Sequence, residues 1–198
     1  MTDAVGHFPA DLCDLYEIHE WKHASAILKH DFPQEWDDLI AMLRAFRLRK
    51  SWITKGGGNK SELAKWVDKF LGARGWVEKQ FATAMVVDET RLESPTHKVD
   101  CYKNQIALEL EWNNKDPFYD RDLNNFRLLF DLRAISVGII FTRRDELQDI
   151  FNELGRGSSY GNSTTHLSKL LPRIEGGGGA GCPIVAIGIS KALFEADK

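Results

Sequence analysis

Asp100, Glu109 and Glu111 are the residues of this sequence whose types and spacing could do chemistry together. Glu109 and Glu111 lie in Ile106-Ala107-Leu108-Glu109-Leu110-Glu111-Trp112, where side-chain character alternates along the chain. That alternation is the period-two signature of a strand with two unlike faces. Ile106, Leu108, Leu110 and Trp112 share one face; Ala107, Glu109, Glu111 and Asn113 share the other. The two carboxylates then project from the same side, roughly 6.5–7 Å apart. Asp100 lies nine residues before Glu109, and a bend at Lys103-Asn104-Gln105 brings it alongside. Three acids converging on one point repel unless a hard cation sits among them, and Mg²⁺ is the usual occupant of oxygen-only sites. The plainer alternative is a solvated strand end.

Other stretches carry chemistry of a different kind. His19-Glu20-Trp21-Lys22-His23 is a literal H-E-x-x-H match, the zinc-peptidase motif in which two histidines one helical turn apart share a metal. Residues 11–30 read as mainly helical, which suits it. The third ligand is missing, however, because position 29 is Lys29, His30 is one residue off, and no glycine lies between. Arg44, Arg47, Arg49, Lys50, Lys55 and Lys60 occupy a 17-residue stretch without an acid. On a chain of net charge −3, a local basic band suits a protein that touches phosphates with one face. Gly56-Gly57-Gly58, flanked by lysines, lacks the Gly-Lys-Ser/Thr ending of a Walker loop and reads as a flexible cationic loop.

The elements that must position these residues follow from periodicity and punctuation. Helices are expected from Pro33 to about Arg47, from a Ser61 cap to Gly72 and Gly75, and over Phe118–Arg133, Glu146–Leu154 and Leu167–Ile174. Strands are expected over Phe81–Val87, the central Glu109–Glu111 stretch, and the apolar runs Ile135–Thr142 and Pro183–Ile189. Gly155–His166 is a polar loop. Strands among helices give an α/β class: one domain over residues 1–198, with a central mixed β-sheet flanked by helices and residues 1–10 as a loosely ordered tail. Its 198 residues suffice for one substantial core. No run of 18 apolar residues occurs, and Met1-Thr2-Asp3-Ala4 lacks the start of a signal peptide. Cys13, Cys101 and Cys182 have no paired spacing and read as reduced thiols of a cytoplasmic protein with no membrane partner.

The pattern Asp-x₈-Glu-x-Glu on a strand resembles the active site of the PD-(D/E)xK nucleases, with Glu111 where that name expects lysine. The variant is similar to the Type II restriction endonucleases of the BglII/BstYI family, and to BamHI in its Glu-x-Glu ending. The segment from Leu15-Tyr16 to Trp36-Asp37-Asp38-Leu39, the Arg74-Gly75-Trp76 turn and the Pro183–Ile189 strand recur in matching order. The resemblance implies a restriction-endonuclease-like fold and Mg²⁺-dependent hydrolysis of double-stranded DNA. It implies one or two Mg²⁺ ions per site, held by Asp100, Glu109 and the Leu110 carbonyl. Glu111 would be base or second ligand, and Glu78 a further polar side chain. Asn113, Asn114 and an Asn162-Ser163-Thr164 loop would read bases, while Lys115, Arg143 and Arg144 would meet phosphate or guanine. It also implies a homodimer on a palindromic site with a GATC core, and a cognate DNA methyltransferase as functional partner. A repair or structure-specific nuclease, and a DNA-binding module without catalysis, are the rival readings.

Overall fold

The computed structural model describes residues 2–3, 6–55 and 60–197. The glycine run and the asparagine after it, 56–59, lie outside the described residues. In chain order the elements are β1 (Thr2–Asp3), α1 (Ala10–Cys13), β2 (Tyr16–Trp21), α2 (Ala24–Asp31), α3 (Pro33–Ala45), β3 (Leu48–Arg49), α4 (Lys50–Thr54), α5 (Glu62–Gly72), β4 (Val77–Lys79), β5 (Ala84–Val87) and β6 (Thr90–Glu93). Then come β7 (Val99–Lys103), β8 (Ile106–Leu110), α6 (Pro117–Asp131), β9 (Val137–Arg143), α7 (Leu147–Glu153), α8 (Leu167–Glu175), β10 (Ile184–Ile189) and β11 (Phe194–Glu195).

Seven strands form one mixed sheet in the order β1-β2-β10-β9-β8-β7-β4. Its centre, β8, β9 and β10, is parallel. These strands are buried on both faces, which is why β9 and β10 read as continuous apolar runs. Leu108, Leu110, Ile139 and Val185 pack toward α3 and α5, where Leu39, Leu43, Leu63 and Val67 meet them. Ala107, Ile140 and Ala186 pack on the opposite face with Leu123 and Phe126 of α6 and Leu170 and Ile174 of α8. Each buried Leu, Ile, Val or Phe among these contributes about 1.5–3 kcal/mol by leaving water. Helix α6 approaches β9 closely: a Cβ on Gly138 would stand 2.4 Å from the Phe126 ring. The sheet is thus a single α/β domain with helices on both faces. Among the described residues no helix is long and apolar enough to cross a membrane.

Two expectations are corrected here. Residues 16–21 form strand β2, pairing antiparallel with β10; Tyr16, Ile18 and Glu20 are buried while Glu17, His19 and Trp21 are half-buried. Period two wins over the helical reading, and Lys22 and His23, with φ of 57° and 56°, turn the chain before α2. His19 and His23 therefore share no helix face, and Glu20 caps α2 by accepting from the Ser25 N–H and hydroxyl at 2.9 and 2.5 Å. The zinc-peptidase reading falls with that helix. Within the segment expected as a tail, Phe8 is buried against the Trp36 ring, 4.7 Å between centroids. The strand expected over 81–87 is shorter: only Ala84–Val87 form β5, which pairs with β6 in a separate hairpin exposing Met85, Val86, Val87 and Leu92, while β4, just before it, joins the main sheet beside β7.

Candidate active site

Asn104 and Gln105, with φ of 42° and 67°, make the two-residue turn between β7 and β8. Consecutive left-handed residues match the twist of a tight hairpin. Cys101 pairs with Leu108 and Tyr102 with Ala107, and continuing that register sets Asp100 opposite Glu109. The two interlock. The Leu110 N–H donates to Asp100 Oδ2 at 3.0 Å, and the Asp100 N–H donates to Glu109 Oε2 at 3.2 Å. Glu109 is buried, and among the described residues its Oε1 has no hydrogen-bond partner. Burial, then the nearby Asp122 and Asp100 carboxylates, hold the Glu109 carboxyl well above its ordinary range. Burial also raises Asp100, offset in part by the Leu110 N–H.

Glu111 is equally buried but aims elsewhere. Its Oε2 accepts from Asn114 Nδ2 at 2.9 Å and its Oε1 from Arg121 Nη2 at 3.4 Å. Burial first, and the neighbouring Asp122 carboxyl second, push its pKa upward. The expected convergence of three acids is therefore a pair plus a third group turned toward α6. Among the described residues no group of three His, Cys, Asp or Glu side chains forms a complete cage for a metal ion. Mg²⁺ needs no such cage, because one or two carboxylates with water and a substrate phosphate complete its shell. Asp100 and Glu109 supply that hard-oxygen pair, and the unpartnered Glu109 Oε1 fits a cation.

Asp100 and Leu110 open into a cleft of about 590 Å³. Lys55, Lys60, Lys65 and Arg156 line it, as do the aromatic rings of Trp52 and Trp112. The basic band of 44–60 thus splits. Arg44 pairs with Asp11 at 2.9 Å and Arg47 with Glu195 at 3.4 Å, while Lys55 and Lys60 face the cleft. Lys55 and Lys65 share Glu62, and Lys60 pairs with Asp68. Glu78 is exposed and bound to Lys98 at 2.9 Å, in a shallow groove that also reaches Asp100.

The two segments expected to read bases are laced together. Lys115 and Thr164 form an isolated antiparallel bridge. The Asp116 N–H donates to the Ser163 carbonyl at 3.1 Å, and the Thr165 N–H to the Asn114 carbonyl at 2.9 Å. Asn113, Asn114, Lys115, Asn162 and Ser163 remain exposed on this platform. Arg143 departs from expectation. It is fully buried, donates from Nη2 to the Tyr160 carbonyl and to Thr164 Oγ1, both at 2.9 Å, and lies over the Phe151 ring. From inside the protein it holds the second loop, as does the buried Thr164. Arg144 is engaged by Glu17 at 2.7 Å and Glu146 at 3.3 Å.

Sequence reasoning missed Arg121, Asp122, Lys65 and Arg156. Asp122 had a usable signal: it falls between Tyr119 and Phe126 on the apolar stripe of α6, where an acid needs a buried partner. Arg156 and Lys65 had none, since only the folded chain brings them to one cleft. No curated protein matches the chain in sequence. Residues 16–189 match the family described as restriction endonuclease BglII/BglIII. A match of that extent makes the chain a member of the restriction endonuclease BglII/BglIII family.

Proposed function

We propose that this nuclease is a Mg²⁺-dependent Type II restriction endonuclease that hydrolyses double-stranded DNA at a palindromic site. The observation that carries the reading is the interlocked Asp100–Glu109 pair, whose Asp100 member lines a cleft shared with lysine and arginine. Asp100, Glu109 and the Leu110 carbonyl would hold one ion; a second is compatible with Glu111. The ion, when bound, neutralises charge on the scissile phosphate and favours a nucleophilic water. Glu111 would serve as general base or as a ligand to a second ion. Lys55, Lys60, Lys65 and Arg156 would contact the DNA backbone, which positions the duplex without reading it. Asn113, Asn114, Lys115, Asn162 and Ser163 would read base edges, amides suiting adenine and lysine suiting guanine. Glu78 would join only after release from Lys98.

A palindrome calls for a twofold dimer with one site per strand, and family likeness favours a six-base target with a GATC core. A methyltransferase protecting that target would be the functional partner. Incubating purified protein with plasmid DNA and Mg²⁺, then sequencing the ends, tests the whole reading. Discrete fragments sharing one end sequence are expected. Random or structure-dependent cuts would indicate a repair-type nuclease, and uncut DNA with a salt-sensitive gel shift would indicate a binding module.

A further inference from the structure

The polar atoms of Glu111 are gripped from four sides. Its N–H donates to the Phe141 carbonyl at 3.0 Å, and its carbonyl accepts from Thr142 Oγ1 at 2.7 Å. Thr142 Oγ1 has one hydrogen, directed at Glu111, so the Tyr119 hydroxyl 2.7 Å away is the donor in that contact. Tyr119 and Thr142 are both fully buried. On the side-chain end, Asn114 takes one carboxylate oxygen and Arg121 the other.

Arg121 does more than touch Glu111. Its Nε and Nη2 both donate to Asp122 Oδ1, at 2.9 and 2.7 Å, while Nη2 reaches Glu111 Oε1 at 3.4 Å. The Phe118 ring lies 4.3 Å from its guanidinium carbon and limits its plane. Asp122 is fully buried, and two enclosed carboxylates this close repel strongly in a weakly polarisable surrounding. The third position of the acid pattern is itself an acid, so a cation must come from another element. A planar guanidinium can serve both acids at once, which a single ammonium cannot do equally well.

We infer that Arg121 is a positioning residue for DNA cleavage: from the first turns of α6 it bridges Glu111 to Asp122 and, with the Tyr119–Thr142 pair, fixes the third acid of the pattern just beyond β8. The inference rests on the nuclease reading above, with Glu111 part of the cleavage site. Arg121 does not line the cleft, so its loss leaves the DNA-contacting surface intact.

The test uses the full-length chain and the duplex fragment that the wild type cuts. R121A is expected to lower the single-turnover cleavage constant at saturating enzyme by about a hundredfold, the low end of what a misplaced acid or base costs. DNA affinity measured in Ca²⁺ should stay within about twofold. Millimolar guanidinium should restore part of the R121A rate and none of the E111Q rate, a response that a purely structural role does not produce. R121K keeps the charge should R121A fold poorly, and is expected about tenfold down because it loses the fork. Wild-type rates in either variant, or rate losses matched by losses of DNA affinity and insensitive to guanidinium, overturn the inference. A wild-type protein that cuts no duplex with Mg²⁺ overturns the nuclease reading itself, and the role of Arg121 with it.

Discussion

Glu109 concentrates the site's electrostatics in one side chain. It is enclosed, faces Asp122 and Asp100, and keeps one oxygen without a partner. D100N and E109Q are each expected to cut at least about a hundredfold more slowly, with Ca²⁺-supported binding retained. A quantitative nicking assay beside a gel shift checks both halves. In metal-free buffer the two variants should melt no lower than wild type, because an amide ends the repulsion between enclosed acids. Adding Mg²⁺ should raise the wild-type melting temperature and leave theirs unmoved. At a hundredfold excess over Kd the linkage is worth about 2.7 kcal/mol, which a thermal melt resolves. The cysteines give an independent check on enclosure. Burial pushes Cys182 up to about 12 and Cys101 higher still, whereas Cys13 is only half-buried. Thiolate is the reacting form, so a disulfide reagent at pH 8 should label Cys13 alone in the native protein and all three thiols after unfolding.

At the scale of elements, the β7–β8 hairpin and the laced loops have separable tasks. Arg143 fastens the 160–164 loop from inside, so R143M should destabilise the fold by about 1–3 kcal/mol, the cost of stranding buried carbonyl and hydroxyl partners. The same variant should cut at related sites that the wild type ignores; an unchanged fragment pattern would count against the loop's part in base reading. The period-two run Ile106–Trp112 announced β8 and both of its faces, because its two sides pack against different cores. The β9 and β10 runs announced buried strands for the same reason. Local pattern misled where a short strand had apolar residues on either flank: Leu12 and Leu15 before Tyr16 and Ile18 imitate a helix until β10 pairs with them. Asp100 and Glu109 were legible because a two-residue turn leaves their register little freedom. The turn of Glu111 toward α6, and the burial of Arg143, depend on contacts with residues ten to twenty-one positions away, which periodicity does not encode.

For the molecule as a whole, charge placement is expected to govern DNA affinity. Lys55, Lys60, Lys65 and Arg156 converge on one cleft of a chain whose net charge is −3. Four phosphate contacts per protomer predict a slope of about −3.6 in log K against log salt, roughly doubled in a dimer. K65A or R156A should reduce that slope by about 0.9 per site removed, without narrowing or widening the set of sequences cut. Fluorescence anisotropy across a salt series measures it, and light scattering gives the assembly. Asn114 sits at the junction of the three scales: its side chain holds Glu111, its carbonyl holds the second loop, and it stays open to solvent. Anyone redirecting the enzyme to a new target through that position would therefore disturb the hydrolytic step in the same stroke. Retargeted descendants would have to pass through sluggish intermediates, and a compensating change near the acid would have to accompany each new preference.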